Sequence, residues 1–471
     1  MPAKKTTTTV TTTTTTPAAP KKGSLVRTIG PAIPLAIALA CGSLSGTGKA
    51  PQAVPEASTT QMVMGAATPS APPMPLLAKG HPVDWWFVFK LDAKAYPNCG
   101  GGDITCPFGG SKQTYAGGQQ FVYASSEAPA LAKSAQECLG TTTSDPVGAT
   151  FDEVFNGGYH YLIWNDQFHD VSPAVLGCSK GDCGSPWGHS KGMVAWNDAG
   201  EGFVMQVSTP SWPNAGNLKS VQATGNTLGC INGDDDVEVS QHFFALKLNE
   251  TDLKVVLTSL SQASVATDPN NPQVANIGGP ADVIDLLKQL KLGVKSTQTV
   301  LDPAMPVTLS TGVRLIAKPS GLHVPPWQMV SSVLGGVPLR AATWWATPYI
   351  PSTTGGAPPA CWDSSLPTAP GAVEIATSGS WNGGPVFNLK GESGTDGNHA
   401  KIGVSTRPGD GLAIFGDENQ QGTLDGPDGT CDSSQNGRGG MFFVMKNATL
   451  SADMAKLIAG GTAATTPPVT P

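Results

Sequence analysis

The chain has 471 residues, of which 13% are charged, and a formal net charge of −7. This low, acidic charge excludes a coiled coil, a long solvated helix and a charge-rich disordered chain, and it argues against holding nucleic acid by bulk basicity. With 57 Gly, 41 Pro, 14 Phe and 11 Trp, the composition predicts a turn-rich globular protein with much β-structure.

The first 80 residues are a basic leader, and an acidic body follows. The leader has seven basic residues against Glu56 alone, which leaves the rest of the chain with a net charge of −13. An uncharged apolar stretch over Ile29–Ala40 has the length of a secretory h-region and is too short to span a membrane. Residues 1–41 are therefore interpreted as a targeting segment.

Three alternatives remain for this leader. A cleaved signal peptide is one, and an uncleaved apolar tail is another. The third is a lipoprotein signal, because Ala-Leu-Ala before Cys41 resembles a processing site that would leave a lipid anchor at Cys41. Residues 42–80 are rich in Ala, Pro, Ser and Thr and predict a flexible linker.

From His81 onward, β-branched and aromatic runs bounded by turn residues predict strands. These runs are PVDWWFVFKL from Pro82, FVYAS from Phe121, YHYLIWN from Tyr159, GMVAWN from Gly192, GFVMQV from Gly202, HFFALKL from His242, KIGVS from Lys401, LAIFG from Leu412 and MFFVM from Met441. Helical periodicity appears at Pro129–Leu139, Ala281–Leu292 and Leu450–Ile458, and Trp344-Trp345 is expected in a buried strand. The pattern predicts an α/β (α+β) protein.

Cysteine usage favours an oxidising compartment. Without Cys41, eight cysteines remain, and none of them has C-x-x-C spacing. Zinc ribbons and redox pairs are therefore disfavoured, and disulfides are expected. The spacing leaves their pairing open.

A weak internal repeat matters more for function than any single element. His189-Ser-Lys191 and His399-Ala-Lys401 lie 210 residues apart, and each follows small residues and leads into a β-run. We therefore expect two pseudo-symmetric halves, residues 81–270 and 271–460, with one site between them and a disordered tail at 461–471.

The paired His and Lys side chains have the chemistry for cleaving a phosphodiester. One imidazole can attack phosphorus and form a phosphohistidine, and the other can protonate the leaving alkoxide and then activate water. The two ammonium groups can neutralise the non-bridging oxygens, so neither a metal nor another cofactor is expected.

These motifs carry a family resemblance that runs from about residue 81 to 457. The segments are PVDWWFVFKL, YLIWNDQ, GHSKG, GFVMQVSTPSWP, NTLGC, CWDSS, NHAK, GDENQ and NGRGG, in that order. Together they resemble the deoxyribonuclease II family, and features of the leader suggest a bacterial branch. The resemblance implies a duplicated phospholipase D-like fold, a U-shaped clamp for double-stranded DNA, and a metal-independent acid endonuclease that leaves 3′-phosphate ends.

The resemblance also implies roles for individual residues. His189, Lys191, His399 and Lys401 fall on the family's two catalytic motifs. The resemblance implies that Ser208 and Asn419 contact the substrate. It also implies a disulfide between Cys361 and Cys431. Gln420 stands where the family usually has a basic residue, and we expect Arg438 to replace that phosphate contact.

Two other functions compete with this interpretation. One is a phosphodiesterase or phospholipase of the same superfamily, and the other is an exported binding protein without activity. The leading interpretation is an exported enzyme that is periplasmic, extracellular or lipid-anchored, with double-stranded DNA as substrate and a homodimer as one expected assembly. Its acidic body predicts weak cutting at neutral pH, where repulsion of DNA is strongest.

Overall fold

The computed structural model describes residues 68–92, 107–108, 119–134, 139–140, 142–168, 182–210, 239–272, 274–290, 294–392, 397–425, 431–432 and 434–467. The expected targeting segment and lipid anchor at Cys41 lie outside these residues. Among the described residues, no helix has the length and apolar character needed to cross a membrane. Two large, mostly antiparallel sheets with helices give an α+β fold.

The first large sheet has eight strands, and a short hairpin precedes it. The hairpin strands are β1 (Leu76–Ala78) and β2 (His81–Pro82). The sheet strands are β3 (Trp85–Asp92), β4 (Gln119–Ser125), β5 (Ala132–Lys133), β6 (His160–Trp164), β7 (Gly192–Trp196), β8 (Gly202–Val207), β9 (Gln241–Leu248) and β10 (Ala275–Asn276). Their order in the sheet is β10-β6-β7-β8-β9-β3-β4-β5.

The second large sheet has nine strands, and a separate two-stranded hairpin falls between two of them in the chain. The sheet strands are β11 (Val307–Thr308), β12 (Arg314–Lys318), β13 (Leu339–Ala342), β14 (Ser352–Thr353), β15 (Val373–Ile375), β18 (Ile402–Ser405), β19 (Leu412–Gly416), β20 (Gly440–Lys446) and β21 (Thr465–Thr466). Their order is β11-β12-β20-β19-β18-β13-β15-β14-β21, and the hairpin is β16 (Ser378–Ser380) with β17 (Val386–Asn388).

The described part of the chain contains five α-helices. They are α1 (Pro146–Gly157), α2 (Glu250–Gln262), α3 (Ala281–Gln289), α4 (Pro326–Val333) and α5 (Ala448–Leu457). Side-chain N-caps begin three of them, at Asp145, Asn249 and Asn447. The last helix therefore begins before Leu450, where the predicted helical period starts.

The central five strands of each large sheet share one topology. In chain order β3, β6, β7, β8 and β9 correspond to β12, β13, β18, β19 and β20, and every lateral pairing within each set is antiparallel. Helices α1 and α4 fall at the same point in the two chain orders, as do α2 and α5. Five strands of each large sheet therefore follow the same order along the chain, while the division into two duplicated halves stays a prediction.

The two sheets share one hydrophobic core. Phe244 on β9 stacks on Phe415 of β19 with ring centroids 4.1 Å apart, and Phe87 on β3 lies 4.9 Å from the same ring. All three side chains are fully buried in one cluster with residues of both sheets. The halves therefore stabilise each other and are not separate folding units.

The structure corrects several local expectations. The helix predicted over Pro129–Leu139 is replaced by β5, where Ala132 and Lys133 pair with β4. Trp344 and Trp345 lie beyond the end of β13 and are only partly buried, so the predicted core strand there is wrong.

The segment boundaries also differ. Strand β1 lies within the predicted linker. Its Leu76 backbone N–H donates to Thr150 Oγ1 of α1, which ties this segment to the fold. Strand β10 extends the first sheet past residue 270, and β21 lies within the predicted disordered tail, where it pairs with β14.

Candidate active site

The two His-x-Lys segments occupy equivalent places just before β7 and β18. The His189 backbone N–H donates to the carbonyl of Gly439 at 2.7 Å, and the His399 N–H donates to the carbonyl of Ser240 at 2.8 Å. Gly439 immediately precedes β20 and Ser240 immediately precedes β9, so each segment is tied to the other half. This exchange brings both predicted pairs together where the two sheets meet.

All four predicted catalytic side chains line one cavity of about 310 Å³. Asp166, Trp344, Asn419 and Arg438 line the same cavity, together with Gln167, Asp182, Cys183, Gly184, Gln421 and Gln435. His189, Lys191 and Lys401 are buried, and His399 is partly buried. The cavity therefore joins two imidazoles and several cations.

Two glycines allow the chain segments to approach closely at this point. A Cβ on Gly188 would lie 2.5 Å from the Ala263 carbonyl oxygen, and a Cβ on Gly439 would lie 2.3 Å from the same atom. A larger residue at Gly188 would displace the His189 segment from Ala263 of its own half, and one at Gly439 would push the start of β20 away from the first half.

His189 has a defined tautomer. Its Nδ1 lies 2.7 Å from the carbonyl oxygen of Asp417, which can only accept a hydrogen bond, so Nδ1 bears the proton. Nε2 then carries the lone pair, and the Asn419 amide Nδ2 lies 3.5 Å from it. Burial and the Lys191 ammonium hold the pKa of His189 well below its ordinary value. The neutral ring thus has a nucleophilic nitrogen beside the cavity.

Asp166 provides the negative charge of the site. Its carboxylate forms ion pairs with Lys191 and, at 2.8 Å, with Arg438 Nη2, and it lies 3.9 Å from His189 Nε2. Burial alone would raise the pKa of Asp166, but the charges of Lys191 and Arg438 together hold that pKa well below its ordinary value. Asp166 therefore stays ionised and compensates the buried cations.

Arg438 links the two halves. Its Nη2 donates to the carbonyls of Cys183 and Gly188 as well as to Asp166, and its Nε donates to the carbonyl of Trp187. These bonds hold the segment that leads into His189. Most of the hydrogen bonds that the Arg438 guanidinium donates go to backbone carbonyls. Its predicted contact with a phosphate stays a prediction.

His399 lies against an aromatic side chain. The Trp344 ring meets it edge to face, with centroids 4.3 Å apart and planes at 75°. Burial, followed by the Lys401 and Lys191 charges, lowers the pKa of His399 well below its ordinary value, and burial and Lys191 likewise lower the pKa of Lys401. A bound phosphate anion would offset this repulsion.

His242 supports the second pair from beneath. Its Nδ1 accepts a hydrogen bond from the Lys401 backbone N–H at 3.1 Å, and the residue is completely buried. Burial and Lys401 hold its pKa well below the ordinary value, so the ring is neutral and can accept this bond. No motif in the sequence marks this contact, because it joins residues 159 apart.

The remaining predicted substrate contacts fall in two places. Asn419 lines the cavity, whereas Ser208 does not. The Ser208 hydroxyl donates to Gln241 Oε1 at 2.5 Å and accepts from the His242 N–H at 2.8 Å, so it braces the sheet. Its predicted contact with substrate stays a prediction. Gln420 also lies outside the cavity wall and donates to Gln328, while its neighbour Gln421 lines the cavity.

The predicted disulfide between Cys361 and Cys431 is confirmed. It fastens the chain just ahead of a short 3₁₀ turn at Ser434–Gly437, which leads to Arg438. Within the described part of the chain, no cluster of three or more His, Cys, Asp or Glu side chains could hold a metal ion.

Comparison with known families gives one match. The family model described as deoxyribonuclease II matches residues 76–267. This range contains His189, Lys191 and Asp166, whereas His399 and Lys401 lie outside it. No curated protein matches the chain.

Proposed function

We propose that this chain, a member of the deoxyribonuclease II family, is an endonuclease that hydrolyses DNA phosphodiester bonds without a metal ion and leaves 3′-phosphate ends. The family match supports a DNA-hydrolysing nuclease in general terms. The cavity that joins His189, Lys191, His399 and Lys401 carries the finer proposal. The repeated strand order supports a duplicated phospholipase D-like fold.

The first step forms a covalent intermediate. His189 Nε2 attacks phosphorus, the bond between phosphorus and the 5′-oxygen breaks, and protonated His399 gives its proton to that oxygen. The carbonyl of Asp417 and the carboxylate of Asp166 favour the positive charge that develops on His189. Lys191, Lys401 and the Asn419 amide offset the charge on the non-bridging oxygens.

The second step releases the product. Neutral His399 takes a proton from water, the water oxygen attacks phosphorus, and the bond between phosphorus and His189 breaks. The product keeps a 3′-phosphate, and both imidazoles return to their starting protonation states.

A plasmid-nicking assay in EDTA tests this proposal. The wild type is expected to nick supercoiled DNA between about pH 4.5 and 6, near and below the ordinary His pKa. His189→Ala and His399→Ala should each lower the rate by about 10³-fold or more, since residues that act as a unit fail together. His81→Ala is the matched control, because His81 is exposed and pairs with Glu127 away from the cavity.

Three results would contradict the proposal. Loss of cutting in EDTA would point to a metal ion, and substantial activity in either His variant would exclude a shared site. Cleavage of phospholipid in place of plasmid, measured in parallel, would favour the phospholipase alternative. Trapping a ³²P-labelled phosphohistidine and mapping its peptide identifies the nucleophile.

We also propose that the protein is exported. The Cys361–Cys431 disulfide supports this, since stable disulfides are typical of oxidising compartments. N-terminal sequencing and lipid analysis of the mature protein would distinguish a cleaved signal peptide from acylated Cys41.

A further inference from the structure

The two halves differ chemically at one equivalent position. Trp164 pairs with Gly192, and Ala342 pairs with Ile402; each partner lies three residues after the catalytic His of its own half. Two residues further along the chain, the first half has Asp166 and the second half has Trp344. A carboxylate thus lies beside His189 and an indole beside His399, although the backbone topology is the same.

The Trp344 indole is held in place and still borders the cavity. His399 packs on one part of the ring, and Gly391 leaves room for another, since a Cβ at Gly391 would lie 2.7 Å from the Trp344 ring. Trp344 is only partly buried. A rigid aromatic surface that borders a cavity is suited to stacking on a flat ligand.

The chain beyond Trp344 carries two more aromatic side chains, which do not line the cavity. Trp345 packs against Tyr349 with ring centroids 4.7 Å apart, and 53% of Tyr349 is exposed. Gln421, which lines the cavity, donates to the Thr347 carbonyl and fixes this segment to the cavity rim. The carboxylates of Asp166 and Asp182 also line the cavity, but Asp166 is paired with Lys191 and Arg438 of the same lining. Trp344 therefore offers an aromatic face to a cavity whose other lining side chains are mostly polar or charged.

We propose that Trp344 stacks on the nucleobase of the nucleotide whose 5′-oxygen leaves, and so selects a substrate with an unstacked base on that side of the scissile phosphate. This inference rests on the proposed function, in which His399 protonates the leaving oxygen. Trp344 touches His399, so the leaving nucleoside lies nearest to it. Lys191 and Lys401 hold the scissile phosphate, which leaves the indole face of Trp344 for the base.

Substrates that lack one base test this assignment. The substrates are oligonucleotide duplexes with one natural phosphodiester among phosphorothioates, and an abasic tetrahydrofuran replaces the nucleoside either just 3′ or just 5′ of that bond. Base stacking on an aromatic ring predicts that Trp344→Leu lowers kcat/KM by about 5- to 100-fold on the intact substrate. The same variant should show little loss on the substrate that lacks the 3′ base.

Matched variants separate stacking from packing. Leu fills space against Gly391 without an aromatic face, whereas Trp344→Phe keeps a smaller face and should retain an intermediate rate. Tyr349→Ala, outside the cavity wall, should keep the wild-type ratio between intact and abasic substrates. Equal losses of Trp344→Leu on both substrates would mean that Trp344 only positions His399, and would overturn the inference.

A second measurement avoids changing Trp344. In the non-cleaving His399→Ala protein, a 5-iodouracil just 3′ of the scissile phosphate should photocrosslink to the peptide that contains Trp344. A crosslink to Trp187, or from a 5-iodouracil on the 5′ side only, would overturn the inference. If the wild type cuts none of the duplexes, the proposed function fails together with the inference; if it cuts them without dependence on the 3′ base, the inference alone fails.

Discussion

The two histidines that we propose to be catalytic, His189 and His399, have different surroundings although their motifs match. His189 donates through Nδ1 to a backbone carbonyl and lies 3.9 Å from a carboxylate, whereas His399 packs against an indole. A nearby anion and a fixed Nδ1 proton suit a nitrogen that attacks and becomes positively charged. The structure thus supports His189 as nucleophile on grounds that the matching motifs do not contain.

The pH dependence of cutting follows from these surroundings. The proposed acid, His399, must be protonated, and burial followed by Lys401 and Lys191 lowers its pKa below 6.5. We expect kcat/KM, which reports the free enzyme, to rise as the pH falls from about 8 and to reach a maximum below about 6.5. At still lower pH, protonation of His189 should reduce the rate. A rate that increases steadily with pH up to about 8 would contradict this assignment.

Asp166 offers a sharper test of the same electrostatics. Its charge raises the pKa of both His189 and His399, so Asp166→Asn should move both limbs of the pH profile to lower pH. Removing the partner of Lys191 and Arg438 should also lower the free energy of unfolding by roughly 3–5 kcal/mol. Asp182→Asn, at another carboxylate of the cavity wall, is the control. An Asp166→Asn enzyme with an unmoved profile would exclude this coupling.

The chain after β19 shows how one extended segment serves both the cavity and the core. Asn419 and Gln421 line the cavity, while the alternate residues Glu418 and Gln420 are buried behind it. Glu418 lies 3.9 Å from Lys318, and Gln420 donates to Gln328. This alternation is the ordinary period of two of an extended chain. It explains why Gln420, which stands where the family usually has a basic residue, does not line the cavity.

The disulfide holds the next segment against this one. Cys361 and Cys431 are 70 residues apart, so the crosslink restricts a long loop in the unfolded chain. A Cys361→Ala/Cys431→Ala double variant should lose about 2–5 kcal/mol of unfolding free energy, measured by urea denaturation. It should also inactivate at a lower temperature, because Arg438 follows the segment that the disulfide fastens. An unchanged urea midpoint would show that packing alone fixes this segment.

Across the whole molecule, buried carboxyl groups favour acid conditions. Burial raises the pKa of Asp145 to about 6, of Glu153 and Asp417 to about 7, and of Glu418 to about 8. A carboxyl group whose pKa is raised in the folded state stabilises the fold at low pH. This stabilisation is lost as the pH rises through the pKa of the folded state. The weak cutting at neutral pH that we expect from the acidic body, with its net charge of −13, is a separate prediction. Adding surface lysines would test it.

The melting temperature should therefore fall as the pH rises from about 6.5 to about 8.5. In that range His side chains are mostly neutral in both the folded and the unfolded chain and do not oppose the trend. Glu418→Gln, which mimics the protonated carboxyl, should reduce the slope of melting temperature against pH. Glu201→Gln, at an exposed carboxyl, should leave that slope unchanged. A flat profile in the wild type would contradict the assignment of neutral buried carboxyls.

Many of the strands could be predicted from the sequence, because a buried strand is a short run of apolar residues between turn residues. The nine predicted β-runs, among them those at Trp85 and Met441, correspond to strands, and two of three predicted helices correspond to α3 and α5. Helix α4 escaped detection because all its residues are buried, which removes the amphipathic period. Helix α1 was not predicted because its buried face is broad, although Asp145 caps it. Helix α2 was not predicted because only Asn249 separates it from β9.

The residue types and their repeated spacing identified the two His-x-Lys pairs and led to the proposed chemistry, and the family resemblance implied the Cys361–Cys431 pairing. Only the tertiary structure decided that both pairs share one cavity, which proton His189 carries, and that Asp166 and Trp344 occupy equivalent positions with different chemistry. The physical reason is range. Strand period and turn residues act between neighbours in the chain, whereas the contact of His189 with Asp417 joins residues 228 apart and depends on how the two sheets pack.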